Sequence, residues 1–146
     1  MTRIREEVAI RAPAAVVWDA MHVDLANAPR WAGYLRHAES LEGSPGRNWR
    51  VRYDLELPGG FTTSLVLLHT VWQPGRRCAG RFDGGPLEGD WSYSYSEGDG
   101  VTRLVYEMDY RLRGLMRLAG GALQGRYAEG IRNGMVSLKS YLEGGR

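Results

Sequence analysis

The sequence contains a single cysteine, Cys78, so no disulfide can form within the chain and a reducing compartment is expected. Cys78 has no histidine or aspartate close to it in the sequence, which favours a buried, inert thiol. Residues 1–7 are charged and lack the apolar run of a signal peptide. No segment approaches the ~20 apolar residues that a membrane span needs. The sequence therefore predicts a cytoplasmic protein without an integral membrane segment.

Excess charge of one sign is also missing. The net charge is +2, from 19 basic and 17 acidic residues, whereas a nucleic-acid-binding protein shows a concentrated basic patch. No nucleic-acid partner is predicted. Arg111, Arg113 and Arg117 cluster before the last helix. They are interpreted either as a solvated edge or as the contact of an unidentified protein partner.

Motifs for metal, phosphate or nucleophilic chemistry are absent. His22, His37 and His69 lack the spacing of a metal site, and no dinucleotide fingerprint or nucleophile elbow occurs. Neither a metal nor a cofactor is predicted. His69 is a candidate acid–base group if its side chain points inward.

The remaining pattern predicts a mixed α+β fold in one domain, residues 1–146. A strand at 2–11 precedes two short helices, one ending near residue 23 and one at 26–31. The first helix has an apolar side that includes Val16 and Val17. Six strands are then predicted at 37–42, 49–57, 61–72, 77–83, 87–96 and 103–111, and short turns between them favour antiparallel pairing. Residues 115–144 form a long amphipathic helix, whose apolar face contains Tyr127, Ile131, Gly134, Met135, Leu138 and Leu142. We therefore expect a curved antiparallel sheet of seven strands around this helix.

The face predicted to meet the long helix is rich in tyrosine and tryptophan. Leu, Ile and Val are more usual in a plain core, because a buried hydroxyl needs a partner. The pattern indicates an apolar cavity with polar groups, although each tyrosine alone is compatible with a hydroxyl at the sheet edge. Trp31 and Tyr34 either roof this cavity or plug one end of the core.

Two features of this layout stay open. The strand at 61–72 is apolar on both faces over residues 65–68, so its inward face is undetermined. Gly134 either leaves room for a ligand or permits close contact with the sheet. Gly120 and Gly121 weaken the start of the helix, where a mobile turn could act as a gate.

Several segments together resemble the polyketide cyclase/dehydrase and lipid-transport proteins of the START-like SRPBCC superfamily. These are residues 8–19 (VAIRAPAAVVWD), the set Asp24, Asn27, Pro29 and Trp31, and residues 87–91 (LEGDW), 100–103 (GVTR) and 138–143 (LKSYLE). The resemblance covers nearly the whole chain. It implies a helix-grip fold, in which a curved sheet holds a long C-terminal helix around a hydrophobic cavity, and a small hydrophobic ligand. Aromatase/cyclases of the family place an Arg with a Ser on the strand equivalent to 61–72; here that strand has Thr62, Ser64 and Thr70 but no Arg.

The first hypothesis is a binding protein for a small hydrophobic, ring-containing molecule such as a lipid, quinone, sterol or polyketide. The predicted ligand-binding residues are Trp31, Tyr53, Leu55, Ser64, Val66, Trp91, Tyr93, Tyr106, Met108, Tyr110, Tyr127 and Ile131. The alternative is a polyketide cyclase or dehydratase that folds a poly-β-carbonyl chain in the cavity, with Tyr53, His69 or Tyr106 moving protons. A close acid–base pair inside the cavity would distinguish the enzyme from the binding protein.

Overall fold

Seven antiparallel strands form one sheet in the order β1-β7-β6-β5-β4-β3-β2. The computed structural model describes residues 2–114 and 120–144, with the backbone alone for 120–123. The strands are β1 (Thr2–Ile10), β2 (Leu35–Glu42), β3 (Arg50–Leu57), β4 (Phe61–Gln73), β5 (Arg77–Phe82), β6 (Leu87–Gly98) and β7 (Val101–Leu112). Two helices, α1 (Ala14–Trp18) and α2 (Gly120–Glu143), accompany a π-helical turn (Asp19–Val23) and a 3₁₀ turn (Ala28–Arg30). The predicted helix-grip arrangement, with short helices after the first strand, is confirmed.

The long helix begins at Gly120 among the described residues, and the predicted segment 115–119 lies outside them. The hypothesis of a gate at this end stays a prediction. Neither α2 nor any other helix in the described parts of the chain has the length and apolar character needed to cross a membrane.

Turn residues fix the long hairpin of β6 and β7. Its loop is Asp99-Gly100, and both residues have positive φ, 54° and 76°. Two consecutive positive φ values make the type I′ turn, whose twist matches that of the strands. Within the same hairpin, Gly89 has φ 135°, and a Cβ there would lie 2.0 Å from the carbonyl oxygen of Asp109. The glycine of segment 87–91 therefore allows a close approach of two backbones.

The short helices direct large side chains into the core. Ala14, Val17 and Trp18 lie on the buried face of α1, at the i, i+3 and i+4 spacing of one helix side. The π-helical turn then continues the chain and buries His22. Val16 is 45% exposed. The prediction that Val16 belongs to the apolar side is wrong, because it lies outside the face defined by that spacing.

Helix α2 packs across β1 and β3. Its predicted apolar face is confirmed, with Tyr127, Met135 and Leu138 buried. On its outer side, Arg132 pairs with Glu6 of β1 (3.3 Å between Nη2 and Oε2). Such exposed pairs contribute little to stability, so the helix is held mainly by its apolar face.

The arginine cluster before α2 is partly described. The guanidinium of Arg111 pairs with Glu88, and Nε of Arg113 lies 3.7 Å from a carboxylate oxygen of the same glutamate. Arg117 lies outside the described residues. The two described arginines are thus part of an exposed ion-pair group at the ends of β6 and β7, inside the sheet order and not on an edge strand.

Candidate functional site

A cavity lies between α2 and the inner face of the sheet. It has a volume of about 110 Å³, counted as the space open to the centre of a water molecule. A single water occupies roughly 10–15 Å³ on this measure, so the cavity has room for more than one water molecule. Side chains from β3 to β7, from α2, and from the segment between α1 and β2 line it. Helix and sheet therefore do not fill the space between them.

Most of the residues predicted to bind a ligand line this cavity. They come from the segment before β2 and from β3, β6, β7 and α2, as the alternation predicted: Trp31, Tyr53, Leu55, Trp91, Tyr93, Tyr106, Met108, Tyr127 and Ile131. Trp31 and Tyr34 both border the cavity, which favours the roof over the plug for this pair.

Ser64 and Val66 are corrections to the predicted site. The hydroxyl of Ser64 donates to Oδ1 of Asp54 at 2.6 Å, on the outer face of the sheet. Val66 lies on the same outer face, beside Gly84. The cavity is lined instead by Leu65, Leu67 and His69 of β4. The inward face of this strand, left open by the sequence, is thus the one that contains His69, and the choice of Ser64 and Val66 corresponds to the opposite face, one residue out of phase.

Tyr110 is a second correction. It is 2% exposed and its ring packs against that of Tyr127, with 6.2 Å between centroids, but it does not border the cavity. Its hydroxyl is buried without a hydrogen-bond partner in the described chain. The alternation placed Tyr110 on the correct face but could not show that the cavity ends before this residue.

Gly134 admits a side chain rather than a ligand. A Cβ at Gly134 would lie 2.5 Å from Cε1 of Tyr34, so the tyrosine ring rests on the helix backbone at this point. Tyr34 comes from the loop before β2. Gly134 therefore permits close contact with a loop, whereas the sequence had suggested either room for a ligand or contact with the sheet. Gly130 is similarly close to Leu57, because a Cβ at this glycine would lie 3.3 Å from the leucine Cδ2. Both glycines let α2 lie close to its neighbours.

The tyrosine hydroxyls around the cavity are neutral donors. Burial raises the pKa of Tyr34 to about 12, and burial with the nearby Tyr34 raises the pKa of Tyr53 further. The pKa of Tyr93 and Tyr106 is raised mainly by burial and then by neighbouring tyrosines. Among the described residues, the hydroxyl of Tyr106 donates to the Met108 sulfur, that of Tyr95 is hydrogen-bonded to His22, and that of Tyr127 lies close to Thr63. Phenol groups of this kind can hold a ligand oxygen but are poor bases.

His69 points into the cavity. It is 2% exposed, and its Nδ1 lies 2.8 Å from the carbonyl oxygen of Trp49. A carbonyl only accepts, so Nδ1 carries the hydrogen and Nε2 carries the lone pair. Its ring stacks on Trp49 and meets Trp72 and Trp91 edge to face. Burial lowers the pKa of His69, so the neutral form with a free Nε2 is favoured.

His22 lines the same cavity and was not among the predicted site residues. It is 4% exposed, and its Nε2 lies 2.6 Å from the hydroxyl of Tyr95. The rings of Trp18 and Tyr93 meet it edge to face, at centroid distances of 4.6 and 4.8 Å. Burial, and then the nearby His69, lower the pKa of His22 well below its ordinary value. The sequence signal was a second polar residue, after Asp19, in a mainly apolar helical segment.

Nε1 of Trp91 and the hydroxyl of Tyr127 are buried and make no hydrogen bond of good geometry within the described chain, although Thr63 lies close to the Tyr127 hydroxyl. An unpaired buried donor costs about 1–3 kcal/mol. Within the same described residues, no three His, Cys, Asp or Glu side chains come together as metal ligands would. The site is thus an aromatic chamber with several unpaired hydrogen-bonding groups.

Cys78 lies in β5 and is fully buried. Burial raises the pKa of its thiol to about 12. A thiol of this kind carries almost no thiolate at neutral pH, so it is a structural residue and not a nucleophile.

Comparison with known proteins agrees with this architecture. Residues 1–143 match the sequence family described as polyketide cyclase/dehydrase and lipid transport. A Deinococcus radiodurans structure is 25% identical, with 99% of this chain and 100% of the other covered and a TM-score of 0.67. The Zhui aromatase/cyclase of Streptomyces sp. R1128 superimposes with a TM-score of 0.81 at 17% identity, covering 97% of this chain and 93% of the other. A START superfamily protein of Mycobacterium smegmatis reaches 0.67 at 15% identity, covering 93% and 98%.

No match was found among curated proteins. The family match spans both the strands and the helix that enclose the cavity. The chain therefore belongs to the polyketide cyclase/dehydrase and lipid transport family.

Proposed function

We propose that this protein binds a small hydrophobic, ring-containing molecule in the cavity under α2. The observation that carries the proposal is an aromatic chamber whose lining includes the hydroxyl-bearing side chains of Tyr53 and Tyr93 and the buried rings of His22 and His69. Aromatic walls with a few polar groups are typical of pockets for apolar ligands. A ligand with a polar substituent would find hydrogen-bonding partners among these tyrosines and histidines.

The residues that line the cavity offer a ligand three kinds of contact. Leu55, Met108 and Ile131 supply apolar surface, and removal of that surface from water contributes roughly 25 cal/mol per Å². Trp31 and Tyr93 supply flat faces against which a ring can stack or pack edge to face. Tyr53, Tyr106 and Tyr127 add hydroxyl groups that orient the ligand. A lipid, quinone, sterol or polyketide with a ring meets these requirements.

The proposal is tested with a substitution on α2 that fills part of the cavity. Ile131→Trp adds an indole at the cavity wall, whereas Val136→Trp adds the same group on the outer side of the helix, where Val136 is 56% exposed. Purified wild-type protein and both variants are titrated with panels of quinones, sterols and aromatic polyketides. Tryptophan fluorescence reports binding, and native mass spectrometry reports stoichiometry.

We expect at least tenfold weaker binding for Ile131→Trp and unchanged binding for Val136→Trp. Equal affinity in all three proteins would place the ligand outside the cavity. No binding of any apolar compound by the wild type would remove the main support for the proposal.

The second candidate is a cyclase or dehydratase acting on a poly-β-carbonyl chain. The observation in its favour is the acid–base group at one end of the cavity, where His22 is hydrogen-bonded to Tyr95 and His69 lies close by. In a dehydration, a neutral histidine would take the proton next to a carbonyl, and a phenol would protonate the β-hydroxyl as it leaves as water. The absence of an arginine on β4 separates this chain from the usual aromatase/cyclase arrangement.

A β-hydroxyketone substrate tests the enzyme. Loss of water is followed by the ultraviolet absorbance of the conjugated ketone, with wild type and the His69→Phe variant. Turnover that falls at least 100-fold in the variant supports catalysis. Binding of the substrate without any turnover by the wild type supports the binding protein.

We also propose that the chain acts as one domain over residues 1–146 in the cytoplasm. The buried reduced thiol of Cys78 is compatible with that compartment. Cell fractionation with an antibody against the protein would test the location, and recovery in a secreted or envelope fraction would contradict it.

A further inference from the structure

Two histidines lie at the same end of the cavity, and the cavity ligand is expected to meet both. Trp72 packs edge to face against both rings, with centroid distances of 6.3 Å to His22 and 5.5 Å to His69. Both histidines line the cavity and are at most 4% exposed. Charge on His69 also opposes charge on His22, as expected for neighbours in a medium of low polarity.

The protein fixes one nitrogen of each ring. The Trp49 carbonyl oxygen accepts from Nδ1 of His69, which leaves Nε2 of His69 as an acceptor. The Tyr95 phenol is the stronger acid of its pair with His22, so its hydroxyl donates to Nε2 of His22. In that tautomer the hydrogen of His22 lies on Nδ1, and Nδ1 is a donor.

The remaining nitrogens have no side-chain or backbone partner among residues 2–114 and 124–144. One is an acceptor and the other is a donor. Because both rings are shielded from outside solvent, the natural partners for these atoms are groups inside the cavity. A purely apolar ligand would leave both nitrogens unpaired.

We propose that His22 and His69 form a polar recognition site for a ring compound that carries both a carbonyl and a hydroxyl group. The His22 Nδ1–H donates to the carbonyl oxygen, and the His69 Nε2 accepts from the hydroxyl. This inference rests on the proposed function, since it assumes that the cavity holds the ligand. It adds a chemical class: oxygenated bicycles, such as hydroxyketones, are preferred over hydrocarbons of equal size.

Four probes of one ring system test the site: tetralin, 1-tetralone, 1-tetralol and 4-hydroxy-1-tetralone. They offer no polar group, an acceptor, a hydroxyl, and both. Isothermal titration calorimetry measures their affinity for wild type, His22→Phe, His69→Phe and, as the control, His37→Phe. His37 is exposed on β2 and does not border the cavity.

A net hydrogen bond of average strength changes affinity by roughly two- to tenfold. Wild type and His37→Phe are therefore expected to bind 4-hydroxy-1-tetralone about 4- to 100-fold more tightly than tetralin, since two such hydrogen bonds multiply. His22→Phe should lose most of the preference for 1-tetralone over tetralin, and His69→Phe most of the preference for 1-tetralol. Tetralin affinity should stay within twofold in His37→Phe and should not weaken in His22→Phe or His69→Phe, because each of these two variants removes a nitrogen that tetralin leaves unpaired.

A measurement on the wild type covers the case in which a variant does not fold. Nitrogen-15 NMR of the histidine rings should show hydrogen on Nδ1 of both residues. Adding 4-hydroxy-1-tetralone should shift Nδ1 of His22 and Nε2 of His69, and adding tetralin should shift neither.

Tetralin and 4-hydroxy-1-tetralone binding equally well to the wild type would overturn this inference but leave the proposed binding function standing. Failure of all four probes to bind would overturn the inference, and the proposed function would fall only if the quinones, sterols and polyketides also failed to bind. Unchanged ring signals on saturation with the hydroxyketone would also place the ligand away from the histidines and overturn the inference.

Discussion

Replacing Gly134 by alanine tests the contact that seats Tyr34 against α2. The new Cβ would lie 2.5 Å from Cε1 of the tyrosine and 3.3 Å from its Cζ and hydroxyl oxygen. Carbon atoms in ordinary contact are ~3.5–4.0 Å apart, so the ring must move by about 1 Å. Tyr34 borders the cavity, so the displaced ring would take up part of the ligand space.

Two opposing terms decide the effect of Gly134→Ala on the free energy of unfolding. Alanine in a helix interior is favoured over glycine by about 0.5–1 kcal/mol. Overpacking a filled site costs about 1–3 kcal/mol. The net result is a loss of up to about 2.5 kcal/mol. Gly125→Ala on the same helix meets no atom within 4 Å, so its gain is unopposed. The two variants should differ by about 1–3 kcal/mol.

Urea denaturation of both variants measures this difference, and a double-mutant cycle with Tyr34→Ala identifies its origin. Without the Tyr34 ring, Gly134→Ala should stabilise the protein as Gly125→Ala does. The reasoning is refuted if Gly134→Ala stabilises the protein while Tyr34 is present. It is equally refuted if its destabilising effect persists in the Tyr34→Ala background.

Three further predictions follow from buried groups. Burial lowers the pKa of His22 and His69, so below pH ~6.5 the unfolded chain binds more protons than the folded protein does. The free energy of unfolding should therefore fall as the pH is lowered from 7 to 5. Each histidine contributes at most about 1.4 kcal/mol per pH unit to this fall. In His69→Phe the free energy of unfolding, measured by urea denaturation at each pH, should depend less on pH because one of the two histidines is gone. The same pH dependence in wild type and variant would contradict this. Gly89→Ala should lower the free energy of unfolding, measured by thermal denaturation, by more than ~2 kcal/mol, because its Cβ would lie 2.0 Å from the backbone of the facing strand. Gly98→Ala is the control, and with open space around it the change should be less than ~0.5 kcal/mol. The Cys78 thiol, whose pKa is raised to about 12, should react with Ellman's reagent only after denaturation, and rapid labelling of native protein would show that β5 opens.

Strict alternation made most of the sheet predictable from the sequence. In β3 and β6 each apolar or aromatic residue within the strand is followed by a polar one, and β7 departs from this pattern only at Val105, so only one face of each strand can be buried. Strand β4 lacks this contrast, because residues 65–68 are all apolar. Its phase was nevertheless encoded in the hairpin. The three-residue loop pairs Leu57 with Phe61, which sets Tyr53 opposite Leu65 and turns Leu65 inward.

The histidine end of the cavity depends on contacts that are remote in sequence. His22 is buried by a π-helical turn, and its ring is held by Tyr95, 73 residues later. An α-helical period cannot place a residue in such a turn, because the turn contains one extra residue. The orientation of His69 likewise depends on the Trp49 carbonyl across the β3–β4 hairpin, whose register must be known first. Composition indicated an aromatic cavity, but the location of its polar groups required the tertiary structure.

The residues at the two ends of the cavity are held by different interactions. His22 and His69 are each held by a hydrogen bond to the protein and by several aromatic rings, so a polar group there meets fixed partners. Tyr34 is held by packing on Gly134, with no side-chain hydrogen bond within the described chain. Ligand orientation should therefore be set at the histidine end, and ligand size at the Tyr34 end. A substitution at Gly134 is accordingly expected to change which ring sizes bind while leaving the preference for a hydroxyketone over its hydrocarbon intact.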